Sequence, residues 1–375
     1  MLPERYRAWA EIDRAALRHN FRLLRERSGT KVMCVIKGDA HGHGAAECGR
    51  ILEQEGAAAF AVACAEEGIS LRKAGITRPI LILGWSMPDC VPELLRYDLS
   101  QSVTDAGYAE LLNAAAAQAG GTLTVHIKLD TGMSRTGIPA QSEPAAAARE
   151  VLRIAQLPHL DAVGLFTHFA AADMPEKDGF TAWQLENYRR VLRELDGLGF
   201  RRPLLRHLCN SAGILYHPEA YFDMVRAGVL LYGLSPTNER TADSPFLPVL
   251  TLKARVAQVR ELPAGAHVSY GCTFEAEAPM TVAAVTAGYA DGYPRALSNR
   301  GAYAVIRGRK CRQIGRVCMD MCMFDVTGTD VRAGDEVILY GAGGMPLEAL
   351  TTLSGTIDCE PTCILTQRVR KVYIG

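Results

Sequence analysis

The chain has no surplus of charge: 41 lysines and arginines balance 41 aspartates and glutamates, for a formal net charge of zero. That balance argues against a general attraction to nucleic acid or to an anionic membrane. No apolar run approaches the roughly 20 residues needed to span a bilayer, and the opening MLPERYRAWAEID lacks a hydrophobic signal core. Cysteine is plentiful at 11 residues, yet CxxC never occurs. Cys34, Cys64 and Cys209 sit singly in apolar surroundings, as small buried hydrophobes kept reduced. Cys318/Cys322 and Cys359/Cys363 share a spacing without forming a metal-ligand cluster. Low-complexity tracts and solenoid repeats are absent. A soluble, cytoplasmic protein is expected, with no metal, nucleic-acid or membrane partner.

From residue 10 to about 235, strand-like and helical segments alternate. KVMCVIK, AAFAVA, PILILG, LSQSV, LTVHIKL, AVGLFTH, LLRHLC and DMVRAGVLLYG read as strands. Between them, RAALRHNFRLLRER places Leu17, Phe21 and Leu24 on one face behind Asp13 as N-cap, and FTAWQLENYRRVLRELDGLG places Trp183, Tyr188, Val191 and Leu195 at similar spacing before Gly197 and Gly199. Eight such strands suggest a (β/α)8 TIM-type barrel. An open doubly wound sheet is the alternative, but no GxGxxG turn follows the first strand. Near residue 236, SPTNERTADSPFLP reads as a linker. The Val- and Ile-rich runs beyond it predict a mostly β domain. The expected domains are 1–238 and 239–375, with the first ten or so residues open to joining the second.

The stretch VMCVIKGDAHGHG runs from a buried-looking strand into Lys37 and then into a flexible-looking turn with His41 and His43. Taken alone, it also reads as a surface lysine before a polar turn. Placed on a barrel, however, Lys37 joins other polar residues at the carboxyl ends of strands: Lys128 and Arg135, His168, Asn210 and Ser211, then Arg226 and Gly228. That rim is where such barrels keep active sites, with phosphate held by the last loops. Ser211, Gly228 and the Val229 N–H can cradle a phosphate without a Walker-type lysine. A lysine free for covalent work beside a phosphate cradle suggests pyridoxal 5'-phosphate held as a Schiff base.

RAWAEID, VIKGDAHGHG, HIKLDTGMSRTG, FTHFAAAD, CNSAGIL, FDMVRAGVLLYG, VSYGCTF, AGYADGYPR and IGRVCMDM occur in an order that resembles the alanine racemase family along essentially the whole chain. The resemblance implies a cofactor-bearing lysine at Lys37 and a second catalytic base at Tyr270, supplied by the partner subunit of a homodimer. Two bases suit a reaction that removes a proton from one face of Cα and returns it to the other. It further implies Arg226 at the pyridine nitrogen and His168 linking Tyr270 to Arg226. Arg135 would lie near the phenolic oxygen and the substrate carboxylate, with Lys128 a candidate for carbamylation that orients Arg135. Tyr289, Cys318, Met319 and Asp320 would line the substrate entrance. The product would be D-alanine for the cell wall.

Two departures from the family pattern stand out. His41 occupies a position where the family usually has tyrosine, altering one cofactor contact. TIDCE places Cys359 where a tyrosine normally reaches the phosphate and flanks the substrate methyl, which leaves serine open as a substrate. The rival readings are an amino-acid decarboxylase, for which Arg226 is the wrong partner of the ring nitrogen, and a non-catalytic pyridoxal-phosphate carrier, which would not need the β domain. For Tyr270, a buried sheet tyrosine is the structural alternative.

Overall fold

The first strand, β1 (Ala8–Asp13), pairs with strands of the C-terminal half, and those that follow build a parallel sheet. They are β2 (Lys31–Val35), β3 (Ala59–Val62), β4 (Ile80–Ile82), β5 (Leu99–Val103), β6 (Leu123–Asp130), the two-residue β7 (Ile138–Pro139) beside β6, β8 (Leu160–Phe166), β9 (Leu205–His207) and β10 (Met224–Ala227). Leaving out β7, the order is β10-β2-β3-β4-β5-β6-β8-β9. The seam is drawn together where the Arg226 N–H donates to Cys209 O at 2.9 Å and the Asp223 N–H to Arg206 O at 3.1 Å. This is the expected eight-stranded barrel.

The structure, a computed structural model, describes residues 5–237 and 243–375. The expected boundary at 238/239 and the middle of the expected linker lie outside the described residues. Two compact units emerge, one of residues 21–40 and 45–231, the other of residues 5–20, 41–44, 232–237 and 243–375. Among the described residues, no helix is long and apolar enough to cross a membrane.

In the barrel unit, apolar residues on both faces explain the unbroken hydrophobic runs. Met33, Ala59, Ala61, Leu81 and Met224 form one core cluster. The polar strand LSQSV is also fully buried. It is tolerated because its side chains find carbonyls: Gln101 Nε2 donates to Gly84 O at 2.7 Å, and Ser102 Oγ to Ile82 O at 2.9 Å. Asp13 caps the helix Arg14–Ser28 as expected, its Oδ1 accepting from the Ala16 N–H at 2.9 Å, and Leu17, Phe21 and Leu24 are buried. In the helix Asp178–Gly197, Tyr188, Val191 and Leu195 are buried, but Trp183 is not on that face and stays largely exposed.

The second unit is a sheet of order β12-β15-β14-β13-β16-β11-β1-β17, where β11 is Leu250–Leu262, β12 Met280–Val285, β13 Tyr303–Ile306, β14 Arg309–Ile314, β15 Cys322–Asp325, β16 Glu336–Tyr340 and β17 Arg370–Ile374. β13 and β14 form a hairpin whose turn residues Arg307 and Gly308 have φ of 49° and 76°, the geometry that matches strand twist. β17 and the helices Leu347–Ser354 and Cys359–Cys363 escaped the periodicity reading, because each is short and mixed in polarity.

Residues 41–44 belong to this second unit. A Cβ on Gly42, at φ +85°, would lie 1.8 Å from Thr362 O, and one on Gly44 1.9 Å from the Tyr373 hydroxyl. The His43 ring stacks on Tyr232 with centroids 4.4 Å apart. At Gly42 backbone meets backbone, so only glycine fits there. Gly42→Ala is expected to cost about 3 kcal/mol of unfolding free energy, from the clash and the left-handed backbone together. Denaturant unfolding of both proteins checks it, and a loss within about 0.5 kcal/mol would show that the loop gives way freely.

Candidate active site

Strand β2 stops at Val35, and Lys37 lies two residues beyond it on the exposed rim. The segment that follows is not the flexible turn its glycines suggest. Gly38, Asp39, Ala40 and His41 all have positive φ, at 61°, 53°, 57° and 51°, a full left-handed turn. Three non-glycine residues in that region cost about 1–2 kcal/mol each, so the surroundings must hold the turn in place. They do: the Gly38 N–H donates to Glu67 Oε1 at 2.6 Å, the Ala40 N–H to Ile36 O at 2.8 Å, and Asp39 Oδ1 accepts from the Ala45 N–H at 2.7 Å. Strain of this kind, overdetermined by hydrogen bonds, is characteristic of a preset functional residue.

Across the barrel, Arg226 sits in β10 only 3% exposed. Its Nη1 donates to His207 O at 2.8 Å and meets His207 Nδ1 at 2.8 Å. Its Nη2 donates to Thr167 O at 2.7 Å and Leu208 O at 2.8 Å, and meets His168 Nδ1 at 3.0 Å. None of these bonds uses the Nε–H. Phe166 lies beneath the guanidinium, 5.3 Å from ring centroid to Cζ, and stacks on His207 at 4.8 Å. Burial lowers Arg226 to about 10, still charged at neutral pH.

The neighbouring groups respond to that charge. Burial first, then Arg226, Arg135, Lys128 and Lys37, push His168 well below its ordinary value, so it is neutral. Burial, then Arg135 and Arg226, bring Lys128 down to about 8, with Lys37 contributing in the same direction and Asp130 opposing. Lys128 Nζ donates to Thr136 Oγ1. Lys37, Lys128, Arg135, His168 and Arg226 therefore form one electrostatic neighbourhood. Lys128 lies inside β6 rather than after it, His168 lies two residues past β8, and Gly228 lies just past β10.

Ser211 begins the turn of helix Ser211–Tyr216, behind Asn210, whose side chain accepts from the Gly213 N–H at 2.9 Å. Ser211 Oγ accepts from the Gly228 N–H at 3.1 Å and the Leu230 N–H at 3.4 Å. A Cβ on Gly228 would meet nothing closer than Ser211 Oγ at 3.7 Å, so space adjoins that backbone. The Val229 N–H donates to no partner among the described residues. His41 is buried, its ring 5.0 Å from that of Tyr232.

Two residues of this site were missed. His126 Nδ1 lies 2.9 Å from His207 Nε2, extending the chain that starts at Arg226. The signal was present: His126 and Lys128, two apart on one strand, share a face, and His207 ends LLRHLC. Burial, then Arg226, lower His126 to about 4 and drive His207 well below the ordinary range.

In the other unit, Tyr270 is 71% exposed on the 3-10 turn Tyr270–Cys272, not buried in a sheet, which removes the structural alternative for this residue. Ser269, at φ +68°, anchors the turn by donating from Oγ to Arg316 O at 2.6 Å, and Cys318 Sγ lies 3.4 Å from the same hydroxyl. Tyr289 and Met319 are also exposed. They are tied together by the Tyr289 N–H to Cys318 O at 3.1 Å and the Ala290 N–H to Met319 O at 3.0 Å. A Cβ on Gly288 would lie 2.3 Å from Cys318 O, so the approach needs glycine. Asp320 accepts from Arg368 Nη2 at 2.6 Å. Cys359 begins the helix Cys359–Cys363 and is half-buried. None of the 11 cysteines is in a disulfide; Cys34 and Cys209 are buried as expected, whereas Cys64 is only half-buried.

A parallel barrel with a lysine on its rim, a cationic ring around it and phosphate-competent loops defines a class of enzyme that binds an anionic, carbonyl-bearing cofactor. Known proteins narrow the class. A family model described as the alanine racemase N-terminal domain matches residues 12–236, and one for the alanine racemase C-terminal domain matches residues 249–373. An alanine racemase of Desulforamulus reducens is 41% identical over 98% of this chain and 99% of its own length. The solved alanine racemase of Streptomyces coelicolor superimposes with a TM-score of 0.92 at 35% identity, covering 99% of each chain. That of Bartonella henselae, solved with covalently bound pyridoxal phosphate, has a TM-score of 0.86 at 28% identity, covering 98% of this chain and 99% of that one. The chain belongs to the alanine racemase family.

The buried imidazoles predict an acid-sensitive fold. His126 binds its proton near pH 4 when folded and near the ordinary 6.5 when unfolded. Between those values the unfolded chain holds more protons, so stability falls as pH falls. This one residue should remove about 2 kcal/mol between pH 7 and pH 5. Urea unfolding at both pH values checks it, with His126→Asn expected to lose correspondingly less. An equal loss in both proteins would place the sensitivity elsewhere.

Proposed function

We propose that this protein is an alanine racemase that uses pyridoxal 5'-phosphate, with Lys37 and Tyr270 as its two bases. The observation that carries the reading is the composition of the rim, where Lys37, Lys128, Arg135 and Arg226 all act on one neutral histidine, His168, and Asp130 opposes the cations at Lys128. Such a cationic excess suits a ligand with phosphate and phenolate groups. The donor set therefore fits the cofactor. Lys37 would hold it covalently, Ser211, Asn210, Gly228 and Val229 would receive the phosphate end, and Arg226 Nε would face the ring nitrogen.

Bound there, pyridoxal phosphate supplies an electron sink that acidifies the substrate Cα–H bond. Lys37 takes or returns the proton on one face, and Tyr270 does so on the other. A guanidinium can only donate, so Arg226 would hold the ring nitrogen without protonating it, which would limit side reactions such as transamination. Arg135 and the Met319 N–H would receive the substrate carboxylate, with Tyr289, Cys318 and Asp320 around the entrance. The 71% exposure of Tyr270 suits a phenol that completes the site of a second copy, so the working form is a homodimer with shared sites. Product D-alanine would serve the cell wall, in the cytoplasm.

Chiral chromatography after incubation with L-alanine tests the reading, and no D-alanine would refute it. L-serine run in parallel tests the second reading, which rests on Cys359 where a ring is usual. Co-expression provides a sharper check. Lys37→Ala and Tyr270→Phe should each be nearly inactive alone. A random mixture should recover about a quarter of wild-type activity, because half of the dimers carry one intact site of two. No recovery would exclude sites shared between copies.

Carbamylation of Lys128 is proposed on its depressed basicity, about 8, since only the neutral amine adds carbon dioxide. The added carboxylate would relieve the local cationic excess and orient Arg135. A carbamate resonance in protein equilibrated with 13C-labelled bicarbonate, absent from Lys128→Ala, is the expected result.

A further inference from the structure

The histidine chain behind Arg226 has a direction. A guanidinium carries no acceptor, so the His207 nitrogen that meets Arg226 Nη1 at 2.8 Å, Nδ1, must offer its lone pair. Neutral His207 then carries its proton on Nε2. His207 is fully buried, so that N–H needs an acceptor, and His126 Nδ1 provides it at 2.9 Å. Each bond fixes the tautomer of the next ring.

Two features of the backbone serve this contact. β6 and β8 slip by one residue at this point: Val125 pairs with Ala162, but His126 pairs with Gly164, leaving Val163 extra. Such bulges re-aim side chains beside active sites. The residue brought opposite His126 is a glycine, and a Cβ there would fall 2.1 Å from His126 Nδ1. Bulge and glycine together make the space that the imidazole occupies.

We propose that His126 is a positioning residue for the racemisation: through His207 it fixes the lone pair against which Arg226 rests, and so presents the Arg226 Nε–H to the cofactor ring nitrogen. The proposal rests on the reading of Arg226 given above. Without the His126 acceptor, His207 would leave its Nε2–H unpaired or turn an N–H towards Arg226, and either would release the guanidinium from its orientation.

The test is made on the holoenzyme. Nitrogen-15 NMR of histidine-labelled protein should show His207 protonated on Nε2 in the wild type; protonation on Nδ1 would overturn the proposal without any mutation. His126→Phe should scramble that tautomer, shift the absorbance of the bound cofactor and lower kcat about tenfold or more, with KM changed less than about threefold. His126→Asn, whose amide oxygen can accept near the place of Nδ1, should restore the tautomer and most of kcat, which a purely space-filling role would not require. An unchanged spectrum and kcat in His126→Phe, with Arg226→Leu altering both, would overturn this proposal alone. If Arg226→Leu also changed neither, the reading of Arg226 itself would fall.

Discussion

The barrel is organised around one buried positive charge. Arg226, on the last barrel strand, has no carboxylate among its hydrogen-bond partners in the described residues and is held by three carbonyls and two imidazoles. Hydrogen bonds to a charged group are worth about 1.5–3 kcal/mol each, and here they offset the large cost of removing a guanidinium from water. The same strand supplies the backbone bond that draws the seam together. Fold closure and site electrostatics thus meet at one residue.

The consequences spread outwards from it. His168, His207 and His126 are neutral because their rings are buried and a fixed cation lies nearby. Phe166 accepts the guanidinium over its face. Asp130 opposes this charge at Lys128 only in part, and the excess of cations over carboxylates leaves the rim electropositive, a condition that suits an anionic cofactor. Burial first, then Arg135 and Arg226, bring Lys128 down to about 8.

The second constraint is geometric. Lys37 is set by a left-handed turn that only glycine adopts at no cost, and the turn is held by Glu67 and Asp39 through backbone N–H groups. Tyr270 is set by another positive-φ residue, Ser269, docked through its own hydroxyl. In each unit the proposed base is mounted beside strained but hydrogen-bonded backbone. Position is therefore independent of the exposed side chain's own packing, and this allows each base to reach outwards to substrate.

The eight barrel strands, the Asp13 cap and the mostly β second half were legible in the sequence, because strand patterning, turn residues and caps are local signals that survive without tertiary context. Strand ends in a parallel barrel share one end, so the sequence also allowed the residues from Lys37 to Gly228 to be proposed as one rim. The left-handed character of the Gly38–His41 turn was not legible, because three of its residues violate their own preference and the turn is held by bonds formed only in the fold, Glu67 to the Gly38 N–H and Asp39 to the Ala45 N–H among them. The exposure of Tyr270 and Trp183 was likewise decided by packing, since a tyrosine in a Val-rich region or a tryptophan at helical spacing reads locally as core. The short strand β17 joined the sheet only through its pairing with β1, some 360 residues earlier in the chain. The His126–His207–Arg226 chain depended on a one-residue bulge against Gly164, a matter of register between strands that no single segment encodes.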